Sequence, residues 1–168
     1  MLTFTLPSQK NKTDVLSFYG EFETNNETCI GYNNFKDFDA WLAHMTNRHT
    51  GKNLPKGFVR ENFYLCYDKA ELVGVFSLKF ELTPYLKDFG GHIGYAVRPS
   101  KRNRGIAGDI LKQGLNISKQ FGFKHILCVC DDDNLPSEKV ILKNGGVFEN
   151  KLYDAEEKVF VKRYWINL

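Results

Sequence analysis

The stretch that most constrains the fold runs from Gly90 to Leu111, GGHIGYAVRPSKRNRGIAGDIL. Ile93, Tyr95 and Val97 alternate with His92, Gly94 and Ala96, which is strand periodicity. Pro99 ends the strand, because proline brings no ladder donor. From Ala107 the apolar residues Ile110, Leu111, Leu115 and Phe121 recur at helical spacing. Between strand and helix lies a basic turn, Arg102-Asn103-Arg104-Gly105-Ile106-Ala107. A helix start offers unpaired backbone N–H groups and the positive end of the dipole, so this turn can hold phosphate oxygens. Gly105 and Ala107 keep side chains out of the way of a close ligand, and Arg102 and Arg104 add charge. The bland alternative is an ordinary basic turn between a strand and a helix.

A second segment has the same plan. Lys124 to Cys130, KHILCVC, becomes continuously apolar after its first two residues, as suits a strand buried on both faces. Asp131-Asp132-Asp133-Asn134 follows, and then a helix expected over Pro136 to Asn144. Proline is favoured in a first helical turn, Asp or Asn before it can cap, and Gly145-Gly146 can end the helix. The acidic run reads as a strand-end cap, since it has no distant partner ligands for a cation.

Together these segments resemble the acyl-CoA-binding core of the GNAT acetyltransferases. The family signature (Arg or Gln, two residues, Gly, one residue, Gly or Ala) is matched by Arg102, Gly105 and Ala107. Leu54-Pro55, Gly74, Gly90 to Tyr95, Val97 to Ser100, Gly145-Gly146 and Arg163 to Ile166 extend the likeness to a bacterial subgroup over most of the chain after residue 35. The resemblance implies that the turn 102–107 wraps the pyrophosphate of acetyl-CoA. It implies that Asn134 bonds the pantetheine arm, with Ser137 a small residue on the same helix. A backbone N–H near Ala96 or Val97 would then face the thioester oxygen. The implied reaction carries acetyl directly to a primary amine of a small molecule or peptide, with no covalent enzyme intermediate and no metal. The family's usual tyrosine proton donor falls at Ile141 here and is missing; Tyr95 or Tyr153 could substitute. An acyl-CoA-binding regulatory module without turnover is the alternative. A nucleotide binder of another type would need a Lys-Ser or Lys-Thr after the glycine, and none follows Gly105.

For the base that deprotonates the amine there are two candidates. His92 sits on the central strand with an ordinary pKa of about 6.5, suited to the task. Glu81 lies near the end of the preceding strand. Each has a structural reading as well, as a histidine bonding a neighbouring loop and as a solvated strand-end charge. His44, His49 and His125 read as surface or packing residues.

The remaining chain supplies the frame. Leu2 to Leu6 alternates as a short strand, Thr13 to Glu23 is helical with Val15, Leu16, Phe18, Tyr19 and Phe22 forming an apolar face, and Phe35 to His49 is a second helix with Phe38, Trp41, Leu42 and Met45 in core spacing. Asn62–Tyr67 and Glu71–Leu82 form a hairpin, Thr83–Gly91 a loop, and Val147–Tyr153 and Val159–Ile166 a closing hairpin. The expected fold is α/β: one GNAT-like domain over 1–168, with a mixed, mostly antiparallel twisted sheet, flanking helices and splayed central strands.

With 23 basic and 20 acidic residues the net charge is +3, too mild for a general nucleic-acid binder. No run approaches the roughly 20 apolar residues of a membrane span, and the N-terminus has no signal-peptide core, so a cytoplasmic protein is expected. Cys29, Cys66, Cys128 and Cys130 read as free thiols without zinc-site spacing. A homodimer is compatible with this reading.

Overall fold

A computed structural model describes residues 2–31 and 37–168. Its elements are β1 (Thr3–Thr5), α1 (Lys12–Thr24), α2 (Phe38–Thr50), β2 (Glu61–Asp68), β3 (Glu71–Lys79), β4 (Ile93–Val97), α3 (Ile106–Gln120), β5 (His125–Asp131), α4 (Leu135–Lys143), β6 (Val147–Asp154) and β7 (Val159–Asn167). The strands form one sheet in the order β1-β2-β3-β4-β5-β7-β6. Neighbours are antiparallel except β4 and β5, which run parallel.

Each face of the sheet has its own core. On one face α1 and α2 bury Val15, Phe18, Phe22, Phe38, Trp41 and Met45 against Phe63, Leu65, Leu72 and Val75. On the other, α3 buries Ile110, Leu111 and Leu115 against Phe76, Leu78, Ile93, Val97, Ile126 and Cys128. The alternation of β4 decides which side each residue serves: Ile93 and Val97 join the α3 core, and Ala96 packs on the other. Helix α3 lies very close to the sheet because Gly114 has no side chain; a Cβ there would stand 2.2 Å from the Phe76 ring.

The expected elements are present, with shifted ends, and Leu16 of α1 is exposed, because it points away from the face that Val15, Phe18, Tyr19 and Phe22 bury. Helix α2 starts at Phe38, capped by Asp37, whose carboxylate accepts from the Asp39 N–H at 2.9 Å. The start expected at Phe35 lies outside the described residues, as do Tyr32 to Asn34 before it. The stretch expected as a loop before β4 contains a π-helical turn, Leu86–Gly90. It is fastened by side chains distant in sequence: the Tyr85 hydroxyl donates to Asp154 at 2.8 Å and Arg163 Nε to the Lys87 carbonyl at 3.1 Å. Such partners leave no local periodicity.

Candidate functional site

Strands β4 and β5 touch at one end only. Ile93 pairs with Cys128, and the register does not continue beyond it. The strands therefore diverge toward the C-terminal end of β4, leaving a gap between α3 and α4. The direction of each β4 amide follows from the ladder with β3. Lys79 N–H donates to the His92 carbonyl and Arg98 N–H to the Val73 carbonyl. In an antiparallel ladder these bonds alternate, so Gly94 and Ala96 spend their N–H groups on β3. The N–H groups of Tyr95 and Val97 face the gap.

The turn 102–107 stands at the wide end of this gap. Asn103 and Gly105 both take left-handed backbone, at φ 61° and 79°. Gly105 is the N-cap of α3 and has no side chain with which to cap it. The helix ladder starts with Asp109 N–H to the Gly105 carbonyl, so the N–H groups of the first turn, at Ile106, Ala107 and Gly108, have no intrahelical acceptor. A Cβ on Gly105 would meet nothing within 4 Å, so the approach to these donors is open. Arg104 is exposed and makes no ion pair among the described residues. Arg102 is committed: its Nη1 donates to Glu27 at 2.9 Å, its Nη2 pairs with the other Glu27 oxygen, and its guanidinium lies over Phe22 at 5.5 Å. This cradle of open N–H groups with Arg104 beside it fits an anionic pyrophosphate.

Across the gap, Asn134 caps α4, its Oδ1 accepting from Ser137 N–H at 3.2 Å. That leaves its amide NH2 unspent. Tyr95 reaches from β4 to the same turn, its hydroxyl 3.0 Å from Ser137 Oγ. Burial, first, and its bond to Ser137 act in opposite directions on this phenol; burial wins, and its pKa is raised well above the ordinary value. Ile141, one turn further along α4, is buried in the α3 core. Tyr153 lies on the edge strand β6 against Phe160.

The two base candidates have different surroundings. Glu81 is exposed beyond the end of β3. His92 is packed between the rings of Phe123 and Trp165, and its Nδ1 accepts the Leu127 N–H at 2.9 Å. Burial, then the charge of Lys79, pushes its pKa down to about 4. The neutral ring therefore carries its proton on Nε2, and its one lone pair is taken by β5.

Burial raises the four thiols: Cys29 and Cys128 to about 12, Cys130 to about 11, Cys66 higher still. Among the described residues no three His, Cys, Asp or Glu side chains stand together as a metal site, and no helix is long and apolar enough to cross a membrane. Sequence reasoning missed Glu27, which lies in a polar segment without periodicity. It also missed the pairing of Glu61 with Arg48, both within otherwise regular elements.

Solved structures share this architecture. The ribosomal L7/L12 alpha-N-protein acetyltransferase RimL in complex with coenzyme A superposes with a TM-score of 0.76 at 16% identity, covering 99% of this chain and 94% of that one. The microcin C7 self-immunity acetyltransferase MccE, in complex with acetyl-CoA and AMP, gives 0.73 at 17% identity over 99% and 92% of the two chains. A spermidine N-acetyltransferase SpeG from Vibrio cholerae gives 0.68 at 18% identity over 98% and 94%. No curated protein matches the sequence. The family model described as acetyltransferase (GNAT) domain matches residues 9–147, and the chain belongs to that family of acetyltransferases.

Proposed function

We propose that the protein moves the acetyl group of acetyl-CoA directly to a primary amine on a small molecule or peptide, without a covalent enzyme intermediate. The observation that carries this reading is the alignment of an uncapped α3 N-terminus with a strand gap into which the Tyr95 and Val97 amides point. The donor is acetyl-CoA, as in the complexes of the neighbours with acetyl-CoA or coenzyme A. Its pyrophosphate is assigned to the N–H groups of Ile106 and Ala107 and to the turn Arg102, Asn103, Arg104 and Gly105. Its pantetheine arm is assigned to the gap, within reach of the Asn134 amide and Ser137.

Acetyl transfer needs three services. A donor must meet the thioester oxygen as it gains charge, and the Val97 N–H, with Tyr95 N–H beside it, is aimed for that. Ala96 contributes its small side chain to the wall, its N–H being held in the ladder. The leaving thiolate gains from a proton, and Tyr95 is the phenol in the gap; its raised pKa keeps it protonated. The attacking amine must lose a proton. The commitment of the His92 lone pair to Leu127 favours Glu81 or solvent as the acceptor. Acceptors of two kinds occur among the neighbours, a ribosomal protein N-terminus and spermidine. The test is release of free coenzyme A thiol from acetyl-CoA in the presence of a panel of peptides and polyamines, with mass spectrometry of the product. Binding of acetyl-CoA without release above the blank for any amine would overturn the reading.

A further inference from the structure

The sheet face under α1 and α2 is apolar except at one end. There Glu61 of β2 and Lys79 of β3 are cross-strand partners, so both side chains rise on the same face. Arg48 of α2 meets Glu61 in an ion pair whose side chains are only 11% and 3% exposed. His44 stands one turn before Arg48 on the same helix face. Both lie against Phe58, the imidazole 5.6 Å and the guanidinium 5.2 Å from its ring centre. Ser77, two residues before Lys79 and therefore on its side of the strand, is buried as well.

The charges here do not balance. Arg48 and Glu61 neutralise each other. Lys79 makes no ion pair or hydrogen bond through its amine among the described residues, and His44 Nε2 and Arg48 Nε are buried without partners. Burial, then the charge of Arg48, draws the Lys79 amine down to about 8, so at neutral pH it remains mostly an ammonium. Buried polar atoms without partners are costly. One surplus positive charge with unfilled donors suits a single planar monoanion; a phosphate dianion would leave excess negative charge. A carboxylate is that group. The cluster also lies at a defined distance from the gap. The Lys79 backbone N–H is bonded to the His92 carbonyl, three residues before Tyr95, so at the rise of a strand the Lys79 backbone stands about 10 Å from the first amide that faces the gap. An extended peptide of about three residues spans that length.

We propose that Lys79 and His44, set beside the Arg48–Glu61 pair, form a carboxylate subsite for the acceptor. The favoured acceptors then carry a carboxylate about three residues from the reacting amine, as a short peptide acid does. This rests on the transferase reading above, and the experiment separates the two. Triglycine and triglycine amide are the probes, differing in the terminal carboxylate alone. Their binding to the protein saturated with coenzyme A is measured by calorimetry, and their acetylation by thiol release from acetyl-CoA. Triglycine should bind at least roughly 10-fold tighter than its amide, and up to about 100-fold, the range for a hydrogen bond to a charged group. Lys79→Met should erase that preference while leaving the amide and acetyl-CoA bound as before, and Lys79→Arg should keep part of it. Equal binding of acid and amide by the parent protein overturns the proposal, whether or not the variants fold. So does a Lys79→Met protein that loses both probes equally. Preferential binding of triglycine with no acetyl transfer to any amine leaves the subsite standing and removes the transferase reading. Acetylation of both probes with equal affinity does the reverse.

Discussion

The Tyr95 hydroxyl stands 3.0 Å from Ser137 Oγ, joining the strand on one side of the β4–β5 gap to the helix on the other. The family's usual tyrosine position is Ile141, one turn along α4 and buried in the core, so the hydroxyl reaches α4 from the sheet instead. Tyr95→Phe should fold, with a loss of about 1 kcal/mol for one hydrogen bond. If the phenol protonates the leaving thiolate, kcat should fall roughly 10²–10⁴-fold while acetyl-CoA affinity changes little. Near-parental kcat would hand that proton transfer to water.

Acetyl-CoA at 100 times its dissociation constant should add about 2.7 kcal/mol to the folding free energy, read as a shift in the melting curve. Gly105→Glu should abolish that shift in a folded protein, because it sets bulk and negative charge before the open N–H groups of α3. Gly105→Ala separates the causes. Its Cβ meets nothing within 4 Å, so it should cost only about 1–2 kcal/mol for left-handed backbone at φ 79° and still bind. A Gly105→Glu protein that binds acetyl-CoA like the parent would move the pyrophosphate elsewhere.

The legible parts of this molecule are those with local causes. The alternation of Ile93 to Val97, the stop at Pro99 and the Gly105 turn sit next to one another in the chain, and each acts on its own neighbours. The π-helical turn Leu86–Gly90 was illegible because its fastenings, Asp154 and Arg163, lie on the last two strands. The role of His92 was illegible for a similar reason. An imidazole looks the same in sequence whether its lone pair is free or spent, and Leu127, which spends it, is 35 residues away. Which amides of β4 face the gap needed the register with β3, since strand period alone cannot choose between Ala96 and Val97.

Glu27 holds the guanidinium of Arg102, the first residue of the phosphate turn. The pair is exposed on both sides, so breaking it should move the melting temperature little. Its effect on the coenzyme should be larger. Arg102→Ala should weaken acetyl-CoA roughly 10-fold, the worth of about one charge-assisted contact. Glu27→Gln should strengthen it several-fold by removing a carboxylate that competes with phosphate for the same guanidinium. Both effects should shrink as salt is raised, as expected of exposed charges. If the two variants weakened binding alike, Arg102 would be a strut positioned by Glu27 and not a phosphate ligand.

His92 supplies a prediction in pH. Its folded-state pKa is depressed to about 4, against about 6.5 in the unfolded chain. Between those values the unfolded chain binds the proton and the folded protein does not, so stability must fall as pH drops from about 6.5 to about 4 and be unaffected by this group above that window. The loss from the single imidazole is at most about 3 kcal/mol. His92→Gln keeps an oxygen that can accept the Leu127 N–H and removes the titration, so its stability should stay flatter through the same window by urea unfolding at each pH. The same variant tests the chemistry. A base of pKa about 4 would already be free at pH 5.5, so a parental rate rising through pH 6.5 would report the amine or another group. With Nδ1 tied to β5, His92→Gln should turn over near the parental rate. A fall of roughly 10²–10⁴ at unchanged acetyl-CoA affinity would instead place His92 in the proton transfer.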